Sequence, residues 1–114
     1  MPRLLLLLTL LLAVPTLARA STSADEVRFG IDVARRGLWR EARFRFEKAV
    51  QQDPDNAAAL NDLAIALEQE GEFDKARDAY ERALKLDKSL YIQQNYDLFR
   101  EADDKRNRKA RKKP

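Results

Sequence analysis

Residues 29–54 read FGIDVARRGLWREARFRFEKAVQQDP and residues 63–88 read LAIALEQEGEFDKARDAYERALKLDK. Laid over one another at an offset of 34 residues, they bring Ile31 onto Ile65, Gly37 onto Gly71, Ala42 onto Ala76, Arg43 onto Arg77, Glu47 onto Glu81, Ala49 onto Ala83 and Asp53 onto Asp87. Other positions keep their character: Phe29 with Leu63, Val33 with Leu67, Trp39 with Phe73, Phe46 with Tyr80 and Val50 with Leu84. A fixed period of this length marks stacked supersecondary units, each too small to bury its own apolar face alone.

Within a unit the spacing is helical. Val27, Ile31 and Ala34 fall on one side, Phe29, Val33 and Arg36 on another, and Ala42, Phe46, Ala49 and Val50 form a second stripe after Gly37. Gly37 supplies the turn because it takes a positive φ without a Cβ clash. Ser23 with Glu26 reads as a capping box, and Asp53-Pro54-Asp55-Asn56 as the break between units. The spacing predicts helices over 24–36, 40–52, 57–70 and 74–86. A further amphipathic helix over 90–103, carrying Leu90, Tyr91, Tyr96, Leu98, Phe99 and Ala102, covers the open end of the stack.

These residues resemble the tetratricopeptide repeat family, a 34-residue helix-turn-helix unit. The first unit has Phe29-Gly30, Val33, Ala42, Phe46, Ala49 and Pro54; the second has Leu60, Leu63-Ala64, Leu67, Ala76, Tyr80 and Ala83. Glu26 stands where the family favours an aromatic, and Lys88 where its closing proline would fall. The resemblance covers 23 to about 88 and implies an all-α fold: two hairpins, repeats 23–56 and 57–90, plus the capping helix, as a fragment of a right-handed solenoid. Ala42, Ala49, Ala76 and Ala83 then mark close helix approaches, with Phe46 and Tyr80 filling the space between hairpins. Fewer than three repeats is below the number that usually stands alone, so the cap, a partner or self-association must complete the core.

The resemblance also implies a binding surface, since the first helix of each hairpin lines a concave groove that holds a peptide. Carried onto this chain, that surface comprises Val27, Ile31 and Arg35, then Asn61, Ile65 and Gln69, with Asn95 and Phe99 of the cap helix extending it. Each trio steps by four residues and so shares one helical face. Repeated isoleucines in a solenoid are also packing residues, so burial by neighbouring helices is the competing reading of Ile31 and Ile65. A subtype of the family grips a C-terminal carboxylate with inner-face Lys, Arg and Asn; Val27 and Ile31 at two of those positions argue against that role.

The remaining sequence bounds the chemistry. The chain has no His and no Cys, which removes the commonest general base, the thiol nucleophile and the usual zinc ligands. Asp25, Asp32, Asp74, Asp78, Asp103 and Asp104 lack calcium-loop spacing. We expect no catalysis, no cofactor and no metal site. Trp39, counterpart of Phe73, reads as a packing residue.

The N-terminus has the three parts of a secretory signal: Arg3, an apolar run from Leu4 to Val14, and Ala18-Arg19-Ala20. The run is shorter than the ~20 residues that span a bilayer. Residues 1–20 are therefore expected to be a signal peptide cleaved near Ala20, leaving a soluble periplasmic or secreted domain over 21–104. That body carries 13 basic and 19 acidic residues. Beyond it, 105–114 holds Lys105, Arg106, Arg108, Lys109, Arg111, Lys112 and Lys113 with no acid, and self-repulsion predicts a disordered tail. Its charge suits an anionic membrane surface or an acidic partner. Nucleic acid ranks last, because no aromatics interleave the charges. The function expected is a non-catalytic scaffold that holds a protein or peptide partner, the alternative a peripheral protein held to a membrane by the tail.

Overall fold

A computed structural model describes residues 20–114. Among them are five helices: α1 (Ser23–Arg35), α2 (Trp39–Gln52), α3 (Ala57–Gln69), α4 (Phe73–Leu86) and α5 (Leu90–Arg111). The signal-peptide reading of residues 1–20 lies almost wholly outside the described residues. The first four helices begin and end within one residue of the sequence expectation, and the fold is the all-α helical repeat that the 34-residue offset implied.

Each helix packs on the next, and α1 also touches α3 across the two hairpins. The side chains of Asn61 and Asn95 join α3 to α5. Helices α1, α3 and the start of α5 thus form one layer, with α2 and α4 behind it. No helix among the described residues is long and apolar enough to cross a membrane.

Both hairpins turn at a glycine in the left-handed region, Gly37 at φ 77° and Gly71 at φ 79°. The same bonds close both turns: Leu38 N–H donates to Val33 C=O at 3.1 Å, and Glu72 N–H to Leu67 C=O at 2.9 Å. A six-to-one bond of this kind satisfies carbonyls that a helix end leaves without partners. Between the units, Asp53 and Asp87 both turn extended at the ends of α2 and α4. Asn56 and Ser89 then cap α3 and α5, accepting from Ala59 N–H at 3.0 Å and Ile92 N–H at 3.3 Å.

The cap of α1 lies one residue earlier than expected. Thr22 and Asp25 form the box, with Asp25 N–H to the Thr22 hydroxyl at 3.2 Å and Thr22 N–H to the Asp25 carboxylate at 2.9 Å. Ser23 is instead a joint between elements: its hydroxyl donates to Ala49 C=O at 2.9 Å and accepts from the Asn56 amide at 3.1 Å. Glu26 is drawn inward, only 3 % exposed, where it meets Ser21, Arg45 at 3.4 Å and Lys48 at 3.1 Å. The Ser21 hydroxyl is the chief cause holding its carboxyl below the ordinary value; Lys48 and Arg45 add to this, against the cost of burial.

The core runs through Val33, Phe46, Leu63, Leu67, Tyr80 and Phe99, with Ala42, Ala64, Ala66 and Ala76 where helices come closest. Glycine at residue 30 makes room for the Phe46 ring: a Cβ there would fall well inside van der Waals distance of it. The second unit has buried Ala64 at that position.

Two expectations about the C-terminal region are corrected. Helix α5 does not stop at 103 but continues through the basic segment to Arg111. Ion pairs to the preceding turn offset the repulsion, Lys105 to Glu101 at 3.3 Å and Arg106 to Asp103 at 3.1 Å, and cations at a helix C-terminus complement its dipole. The Arg106 guanidinium also lies 3.5 Å from the centre of the Phe73 ring. The second correction is Phe99, which faces the core instead of a groove. It is fully buried, 5.4 Å from the Tyr80 ring and 6.4 Å from the Tyr96 ring between centroids.

Candidate functional site

A concave cleft opens on the α1–α3 layer. Its walls are Ile31, Ala34 and Arg35 from α1 and Asp62 and Ile65 from α3, with Trp39 and Phe46 of α2 and Tyr91 at the start of α5 completing the lining. The cleft has a volume of about 400 Å³. A second hollow of about 350 Å³ continues it toward the α4–α5 connection and shares Ile31, Asp62 and Tyr91. The helical repeat explains the arrangement. Ile31 and Ile65 are corresponding positions of successive units, so the stack sets them side by side on one face.

Of the sequence-derived site residues, Ile31, Arg35 and Ile65 line this cleft. Both isoleucines are half-buried, touching the core with one side and the cleft with the other. Asn61 borders the second hollow but is 1 % exposed, and its side-chain oxygen accepts from the half-buried Asn95 amide at 3.2 Å. That bond orients two helices; Asn61 does not present its amide outward. Val27 is half-buried and Gln69 exposed, and neither lines the cleft; Phe99 is in the core.

Sequence reasoning missed Trp39, Asp62 and Tyr91. Trp39 is partly buried against the core while bordering the cleft, so packing and lining coexist in one ring. Asp62 is half-buried among apolar walls, and burial raises its carboxyl from the ordinary aspartate value to about 6, the Asn61 side chain opposing part of the rise. No lysine or arginine among the described residues pairs with it. Tyr91 is 63 % exposed. In the sequence it counts among the apolar positions of the capping helix, and no local signal separates it from the buried ones.

A second surface is electrostatic. Lys105, Arg108, Lys109 and Lys112 recur at helical spacing near the end of α5 and are all exposed. Arg106 is turned back toward Asp103, which is only 6 % exposed and also pairs with Arg77. No group of three or more acidic side chains able to hold a metal ion occurs among the described residues.

A family model described as tetratricopeptide repeat matches residues 27–91, more than half of the chain. No curated protein matches the sequence.

Proposed function

The chain belongs to the tetratricopeptide repeat family, whose repeats are generally protein–protein interaction modules and typically non-catalytic, and from that premise we propose that it is a non-catalytic adaptor or assembly factor holding a partner segment in the inner cleft. The observation that carries this reading is the cleft itself: Ile31, Ile65, Trp39 and Tyr91 offer apolar surface in a concavity formed by two repeats. Concave apolar surface with a few convergent polar groups is what a bound segment needs. The chemistry of an enzyme is scarce here, because the chain has no His or Cys and Asp62 is the one carboxylate among the residues lining the cleft.

Affinity capture with the chain, run beside the Ile31→Arg and Ile65→Arg double variant, tests it. A protein retained by the native chain and lost by the variant supports the cleft. Equal retention by both would remove it.

The residues 1–20 support export to the periplasm or the extracellular space, with Ser21 as the first residue after cleavage. N-terminal sequencing of the protein from a cell envelope fraction tests this. A second reading rests on the exposed basic stripe of α5: Lys105, Arg108, Lys109 and Lys112 would hold the protein to an anionic lipid surface. Salt-sensitive binding to anionic vesicles that disappears on deleting 105–114 supports it, and salt-independent binding or none opposes it.

A further inference from the structure

The inner cleft holds a carboxylate that its largely apolar walls do not explain. Asp62, half-buried, lines the same cleft as Ile31, Ile65, Trp39 and Tyr91. A carboxylate partly withdrawn from water costs free energy unless a cation or hydrogen-bond donors compensate. The groups that face it do little of this. Arg35 of α1 borders the same cleft yet forms no ion pair with it; Tyr80 of α4 donates its hydroxyl to Glu68 at 3.1 Å; Tyr91 of α5 and Asp87 add no positive charge. Asn61 alone supports it, as its neighbour on α3.

A segment laid into the cleft would strip the remaining water from Asp62. An acidic or wholly apolar segment would then leave a desolvated charge without a partner, a cost that discriminates strongly against it. A segment bearing a cation at that point converts the same cost into a charge-assisted hydrogen bond. We propose that the cleft takes an apolar segment of another protein carrying one lysine or arginine, its cation seated on the Asp62 carboxylate and its flanking apolar side chains against Ile31, Ile65, Trp39 and Tyr91. This rests on the cleft being the partner site, as argued above. The chain's own basic end is a poor occupant: 105–114 contains no large apolar side chain to fill those walls.

Trp39 is the only tryptophan in the chain and borders the cleft, so its emission reports occupancy. The test selects decapeptides from a random display library on the whole chain, then titrates synthetic copies while following Trp39. The expected winners carry Lys or Arg between apolar residues and shift the Trp39 emission. Replacing that cation by Gln weakens binding about tenfold to the native chain, as loss of ~1.4 kcal/mol would, and less than twofold to Asp62→Asn. Pairing with a cation draws the Asp62 carboxyl below its free value of about 6, so affinity is full above that pH and falls as the pH drops through it. This pH arm uses the native chain and decides the matter even if Asp62→Asn does not fold. Winners that shift Trp39 but are neutral or acidic, or a cation-to-Gln loss equal in both proteins, would overturn the pairing and leave the cleft as partner site. If no peptide moves Trp39, the cleft reading falls and the pairing with it.

Discussion

The Phe46 ring occupies the space in which a Cβ on residue 30 would stand. In the second hairpin the matching position is filled by the buried Ala64. Gly30→Ala should destabilise the fold by about 1–3 kcal/mol through overpacking, because the Phe46 ring is packed in the core and must shift to make room for the added methyl group. Urea denaturation checks this. The propensity gain of alanine over glycine in a helix, ~1 kcal/mol, works in the opposite direction and makes a net loss diagnostic.

Asp103 joins the end of α5 to α4 by pairing with Arg77 and Arg106, while Arg106 covers the Phe73 ring. Asp103→Ala should leave α1–α4 intact, cost about 1–3 kcal/mol, and release the last two turns of α5. Amide hydrogen exchange should accelerate over 104–111 and stay unchanged in α1 to α3.

Asp62 and Glu26 should give opposite dependences of stability on pH. The Asp62 carboxyl lies near 6 in the fold against an ordinary 3.8, so its contribution is most favourable below the ordinary value and is lost as pH rises toward and past 6. Glu26 is lowered from 4.5, so its contribution is present above that value and is lost as pH falls through its folded value. Asp62→Asn should thus raise the Tm at pH 7.5 and change it little near pH 4. Glu26→Gln should lower the Tm at pH 7.5, with the difference shrinking on acidification.

The repeat was legible in the sequence because its signals are local. Gly37 and Gly71 must take a positive φ, and the apolar periods between them are long enough to set each helix to within a residue. What escaped depends on contacts between elements. The basic end of α5 looks self-repelling in isolation; its helicity comes from Glu101 and Asp103 one turn back and from the Phe73 ring of another helix. Phe99 shares the spacing of an inner-face residue, yet the stack ends at α5 and the ring turns onto Tyr80, closing the core. Stepping by four along α3 gave Asn61, Ile65 and Gln69 but passed over Asp62, which enters the cleft only because α1 and α5 flank it.

Ile31 and Ile65 are half-buried, with one side free in the cleft. Ile31→Arg with Ile65→Arg should preserve most of the helical circular dichroism signal while abolishing partner capture, the long arginine stems covering the apolar edge as their charges reach water. Collapse of that signal would show that both side chains serve the core alone.

The most direct test places a photo-crosslinking phenylalanine analogue at position 65 in the cleft and, separately, at position 78, which borders the gap between α2 and α4 on the other side of the hairpins. Irradiation in the native cell should yield a crosslinked protein from position 65 and not from position 78, and Ile31→Arg in the same chain should remove it. Crosslinks from position 78 alone, or a position-65 crosslink indifferent to Ile31→Arg, would contradict the cleft as the place where the partner is held.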